Sequence, residues 1–158
     1  STAPTAPRSP ERATALAREI YRAANVERCV WSGRRLSDRR FAVDHVIPFA
    51  LWGNNDLWNL LPAHPAVNGE KSDKLPAAEL LQSCRSEVVH NWRIARDAMP
   101  DAFDRQAENL VGHHPRQGES WESALFARLR EAIELTALQR GIDRWSPRTA
   151  VDWAGAGT

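Results

Sequence analysis

The 158-residue sequence predicts an α+β fold, a small core of a β-hairpin and a short helix embedded in a mainly helical domain. Three observations carry this. Two β-prone runs, RCVWS and RFAVDHV, flank the turn-forming GRRLSD. Beyond Pro76, apolar residues recur every three or four positions over long stretches, the spacing of amphipathic helices. With 42% apolar and 26% charged residues, the chain supports one ordinary globular core.

From the N-terminus, residues 1–8 are rich in Pro, Thr and Ala and read as a disordered lead-in. SPER then supplies a helix start, with Ser9 as cap and Pro10 at the first helical position, followed by Ala13, Leu16, Ala17, Ile20 and Ala24 at helical spacing. That helix ends near Asn25. The two β-prone runs come next and are read as paired with each other, Pro48 closing the second. FALWGNNDLW is loop-like around Gly53, Asn54 and Asn55, with Trp52 and Trp58 to anchor it. Pro65 opens a short helix over about residues 65–73. Ala77, Leu81, Cys84, Val88, Trp92, Ala95 and Met99 form one helical stripe up to Pro100, and a shorter helix from Phe103 ends at Gly112. After the loop GHHPRQGE, Ser120 caps a helix carrying Trp121, Leu125, Leu129 and Ile133, with Gly141 just past its end. The expected organisation is a lead-in (1–8), a core unit (9–76), a helical extension packing on it (77–141) and a loosely held tail (142–158).

Composition narrows the function classes. No apolar run approaches the roughly 18 residues of a membrane span, and STAPTAPRSP lacks the apolar centre of a signal peptide. Two cysteines, Cys29 and Cys84, are too few for a disulfide framework, so a reduced cytoplasmic setting is expected. A net charge of +1 gives no global basic field. Locally, RRLSDRR gathers Arg34, Arg35, Arg39 and Arg40, candidates for phosphate contact if a phosphate site lies nearby and otherwise a solvated turn. The chain opens on Ser1 rather than Met, as an excised domain of a longer protein would.

The chemistry is concentrated around FAVDHVIPF, where Asp44 and His45 interrupt an apolar strand-like run. Burying two ionisable groups side by side is costly unless a metal, a charge or hydrogen bonds compensate. Asn59, Asn68, Lys71 and Asp73 follow in order. On the short helix, Asn68 and Lys71 lie three residues apart and share a face, so an amide oxygen and an ammonium can approach a cation beside Asp44 and its bound anion.

The run VDHVIPFALWGNNDLWNLLPAHPAVNGEKSDKLP resembles the core of the HNH endonucleases, whose fold is the ββα-metal motif. Within them it is most similar to the branch reading D-H-x-x-P, then N, then N-x-x-K-S-D-x-x-P, which includes the HNH domain of RNA-guided CRISPR effector nucleases. The resemblance spans about residues 28–76. It implies that His45 is the general base, that Asp44 and Asn68 ligate one divalent cation, that Asn59 orients the His45 ring, and that Lys71 contacts the phosphate. Mg²⁺ is the expected cation, with Mn²⁺ able to substitute, and the implied reaction hydrolyses a DNA phosphodiester to a 5′-phosphate and a 3′-hydroxyl. RNA remains an open alternative substrate, and cutting both strands calls for a homodimer or sequential nicks. Base specificity, partner domains and the biological setting, whether phage defence, restriction, mobile element or toxin, stay open. The competing class is a nucleic-acid-binding or protein-docking module that keeps the fold with little turnover.

Many members of this family hold a structural zinc with two C-x-x-C pairs. The corresponding positions here are Cys29 with Ser32 and His64 with Val67, so that zinc is predicted absent, with packing by Trp31 and Pro65 in its place. His64 is kept out of the catalytic set. His113 and His114 read as solvent-facing loop residues, His90 as surface or packing, and Trp92 and Trp121 as core. Trp145 and Trp153 are candidates for a surface that docks to another domain.

Overall fold

The structure, a computed structural model, describes residues 10–37, 40–112 and 117–148. The lead-in, Ser9, Arg39, His113, His114 and Trp153 lie outside the described residues.

Helix α1 (Pro10–Ala23) places Ala13, Ala17, Ile20 and Tyr21 on one buried face, as its spacing predicts. It ends where Asn25 turns left-handed at φ 55° and Val26 N–H returns to the Tyr21 carbonyl. The Tyr21 hydroxyl donates to the Leu60 carbonyl at 2.6 Å, tying the helix to the sheet.

The strand pairing differs from the sequence expectation. RCVWS does not pair with RFAVDHV; it folds back on itself at Gly33 (φ 73°), with Cys29 N–H bonded to the Arg34 carbonyl at 2.8 Å and Gly33 N–H to the Cys29 carbonyl. Strand β1 (Ala42–His45) pairs antiparallel with β2 (Leu60–Ala63), in the register Asp44 opposite Leu61 and His45 opposite Leu60. Pro62 lacks an N–H and reads against a strand, but a two-stranded sheet leaves edges that ask for none. Its carbonyl instead accepts from Val30 N–H at 3.0 Å and docks the folded-back turn.

Between the strands lie α2 (Phe49–Trp52), closed by left-handed Gly53 at φ 59°, and a 3₁₀ turn (Leu57–Asn59). After β2 comes α3 (Pro65–Lys71), so β1, β2 and α3 make the ββα unit in that order. His64 Nδ1 caps α3 by accepting from Ala66 N–H at 3.1 Å.

The helical extension is α4 (Ala78–Ser83), α5 (Arg85–Ala98), α6 (Pro100–Val111) and α7 (Trp121–Arg140). The expected single stripe from Ala77 to Met99 is interrupted at Cys84 (φ −93°, ψ 4°), where the Ser83 hydroxyl donates to the Leu80 carbonyl. The stripe still reaches one continuous core, with Leu81, Cys84, Val88, Trp92 and Ala95 buried. Polar ties cross from this extension to the ββα unit: Trp92 Nε1–H donates to the Trp58 carbonyl at 2.8 Å, and Leu57 N–H to Gln106 Oε1 at 2.8 Å. Helix α7 starts on the Ser120 cap and stops at left-handed Gly141, both as predicted.

Part of the expected loose tail is held. Residues Arg144–Trp145 form β4, parallel to β3 (Leu75–Pro76), and Trp145 is buried in the core rather than displayed for docking. No helix of the described residues is long and apolar enough to cross a membrane.

Two outcomes follow from these ties. Trp92→Phe strands the buried Trp58 carbonyl and lowers unfolding free energy by about 1–3 kcal/mol, read from chemical denaturation. Burial and the nearby Arg34 guanidinium hold the His64 imidazole below its ordinary value. The cap needs the neutral ring, so its stabilisation is present above the ordinary histidine value and lost as pH falls through the lowered one. His64→Asn keeps an uncharged acceptor and removes that acid-side loss, measurable as the change of melting temperature with pH.

Candidate functional site

At the end of β1 a cleft of ≈ 240 Å³ is lined by Asp44, His45, Phe49, Asn68, Ser72 and Asp73, among others. The strand delivers Asp44 and His45, and α3 delivers Asn68 from across the cleft. These are the residues the sequence pattern places together, and the structure brings them to one wall-to-wall pocket.

Asp44 is almost wholly buried. Its Oδ2 accepts from the Trp31 indole N–H at 2.7 Å, and the Lys71 ammonium stands 3.2 Å from Oδ2 and 3.3 Å from Oδ1. Burial pushes the Asp44 carboxyl above its ordinary value, while the Lys71 charge and the hydrogen bonds from Trp31 and Lys71 pull it back down. Both neighbours are donors only, so the surroundings match the carboxylate and not the acid.

Lys71 departs from the role implied for it. Its side chain is fully buried and its ammonium also donates to the His45 carbonyl at 2.8 Å. It therefore lies beneath the cleft, clamping Asp44 and the end of β1, and does not present a charge to a phosphate at the surface. Lys71 is the buried partner of Asp44 and of the His45 carbonyl. Residues three apart on a helix are offset by only about 60°, and within that offset Asn68 lines the cleft while the long Lys71 side chain runs beneath it to Asp44 and the His45 carbonyl.

Asn59 also differs. It is fully buried, its Oδ1 accepts from Ile47 N–H at 2.8 Å, and its Nδ2 donates to the carbonyls of Ile47 (3.0 Å) and Asn54 (3.1 Å). It does not touch the His45 ring. The ring's partner is Asn55, whose Oδ1 lies 2.9 Å from His45 Nε2, and the Phe49 ring meets it edge-on at 5.7 Å. Asn59 acts at one remove, by clipping together the two stretches of loop between which Asn55 is held. The sequence carries no signal for Asn55: GNND offers two adjacent amides, and Asn54 is spent on a local turn with Asp56.

The tautomer in which Nε2–H donates to Asn55 Oδ1 has the lone pair of His45 on Nδ1, the arrangement a general base needs. Asn68 has no side-chain hydrogen bond among the described residues, so its amide oxygen is open to a ligand. One carboxylate and one amide oxygen are hard donors suited to Mg²⁺ or Mn²⁺, with water and phosphate oxygens completing the shell. Among the described residues, no three His, Cys, Asp or Glu side chains converge as a closed metal site would require.

The arginines lie elsewhere. Arg34, Arg35 and Arg40 are exposed and none lines the cleft; Arg35 instead borders a separate polar hollow with Arg22, Asn25 and Glu27. At the positions corresponding to the zinc pairs, Cys29 and Ser32 are buried, Val67 packs in the core and His64 serves as the α3 cap. Exposed His90 sits on α5, away from the cleft.

Removing one partner of the buried pair leaves an uncompensated charge. Lys71→Met is expected to cost about 3–5 kcal/mol of stability, and Asp44→Asn combined with it to recover part of that loss, in a double-mutant cycle from denaturant unfolding.

No curated protein and no solved structure matches the chain. A family model described as HNH endonuclease matches residues 29–77, the span from the turn that carries Trp31, through both strands, to the end of β3. Residues 29–77 of this chain are thus similar to the HNH endonucleases, the family whose motif its sequence resembles.

Proposed function

We propose that this protein is a metal-dependent endonuclease that hydrolyses DNA phosphodiesters, with its reaction centre in the cleft between β1 and α3. The observation that carries this reading is the convergence of Asp44, His45 and Asn68 on that one cleft, with the His45 ring fixed through Nε2.

His45 Nδ1 takes a proton from a water placed in line with the scissile phosphate. The water oxygen bonds to phosphorus, the P–O3′ bond breaks with its electron pair going to O3′, O3′ takes a proton from solvent water, and the products are a 5′-phosphate and a 3′-hydroxyl. Asp44 and Asn68 would hold one divalent cation, Mg²⁺ or Mn²⁺, which when bound supplies positive charge to the phosphate and to the leaving oxygen. Asn55 keeps the imidazole in the productive tautomer, and Lys71 keeps Asp44 and the strand end in place. Exposed Arg34, Arg35 and Arg40, with Arg39, would contact backbone phosphates away from the reaction centre and position the duplex without reading bases.

One observation favours the second reading, a nucleic-acid-binding module with little turnover. Both Asp44 oxygens already have an ammonium within 3.3 Å, which competes with a cation for the carboxylate.

A supercoiled-plasmid assay with Mg²⁺ or Mn²⁺ separates the two. Nicked product is expected from the wild type and none above background from His45→Ala; equal activity of the two rules the mechanism out. Asn55→Ala is expected to lower kcat by about 10²-fold or more with little change in KM, because it removes tautomer control and not substrate binding. Salt-sensitive DNA binding without cutting under either metal supports the binding module instead.

A further inference from the structure

The carboxylate that lines the cleft is held by a residue outside the D-H-x-x-P, N and N-x-x-K-S-D-x-x-P positions. Trp31, fully buried, donates its indole N–H to Asp44 Oδ2 at 2.7 Å, the shortest of the contacts to that carboxylate. An indole N–H differs from an ammonium in what it does there. It fixes one oxygen in direction without adding a cationic charge that would repel a metal ion, and it leaves Oδ1, 3.3 Å from Lys71, the less engaged oxygen.

Trp31 is in turn held from the far end of the chain. The Trp145 ring meets it edge-to-face at 6.4 Å, and Cys84 Sγ, at the α4–α5 break, contacts the Trp31 carbonyl at 3.7 Å. The segment carrying Trp145 is itself fastened to the other wall of the cleft. Leu75 N–H bonds to the Asp143 carbonyl at 3.2 Å and Ala77 N–H to the Trp145 carbonyl at 2.8 Å, just beyond α3, while Arg148 N–H bonds to Glu70 on α3 at 2.9 Å. Residues 142–148 thus touch both the residue that aims Asp44 and the helix that carries Asn68.

We propose that Trp31 is a positioning residue for the cation-binding carboxylate, and that residues 142–148, through Trp145, are the brace that keeps Trp31 and α3 in register across the cleft. The cation half of this rests on the function proposed above; the brace itself does not. Trp31→Phe keeps the ring and removes the N–H. Trp145→Ala removes the edge that packs on Trp31, and Trp145→Phe restores an aromatic edge there.

The test is Mn²⁺ binding to the purified full chain by titration calorimetry, alongside melting temperature and amide hydrogen exchange of the metal-free protein. Trp31→Phe and Trp145→Ala are expected to weaken Mn²⁺ binding by about tenfold, with Trp145→Phe close to wild type. Lower melting temperatures with unchanged Mn²⁺ affinity in both folded variants would show ordinary core residues and overturn the positioning role. If Trp145→Ala does not fold, Trp31→Phe decides that point alone. A wild type that takes up no Mn²⁺ overturns the proposed cation site and the positioning role with it, leaving the brace to hydrogen exchange. Selective loss of protection at residues 42–46 and 68–76 in a folded Trp145 variant supports the brace; loss spread evenly over α5 and α6, or none, refutes it.

Discussion

A buried ion pair sits under the cleft, and the geometry above it depends on that pair. Taking a carboxylate and an ammonium out of water costs several kcal/mol, roughly, per ion, and is repaid only where the remaining hydrogen-bonding capacity is met. Here the Trp31 indole meets part of it for Asp44, and the His45 carbonyl meets part of it for Lys71. The same contacts that solve the burial problem connect β1, α3 and the turn at Gly33. A pair of this kind adds little net stability against an apolar replacement, but it permits few alternative arrangements of the three elements it joins.

The second constraint is the fully buried Asn59 amide. Its three hydrogen bonds to main chain hold the stretch after β1 against the stretch before the 3₁₀ turn. Such a loop would otherwise carry unpaired buried backbone groups. Holding it shut places Asn55 Oδ1 2.9 Å from His45 Nε2, so the ring's partner comes from ten positions along the chain, beside a clip that never touches the ring.

A motif this small has little core of its own, and the helices supply it. Trp92 reaches the Trp58 carbonyl, Gln106 reaches Leu57, and Trp52 donates to Thr136 on α7. The 3₁₀ turn and α2, which frame the cleft loop, are thereby pinned by α5, α6 and α7. Trp145 closes the ring of contacts by packing on Trp31 from the chain's other end.

Much of the fold was legible in the sequence. Helices α1, α6 and α7 follow from apolar spacing and from their stop signals at Asn25, Gly112 and Gly141, because these are local properties of a few neighbouring residues. The residues Asp44, His45 and Asn68 were legible as one cluster because each is a polar type at a fixed interval in a motif. What tertiary structure decided was partnership. The strand opposite β1 is Leu60–Ala63 and not RCVWS, since a run that can close its own hydrogen bonds at Gly33 leaves the sheet edge to another. Asn55 and not Asn59 meets the imidazole, Lys71 points into the core and not to the surface, and Trp145 is buried and not displayed. Spacing along the chain says which face a side chain starts from. Where its polar end finishes depends on which donors and acceptors the rest of the fold has already brought within about 3 Å of it.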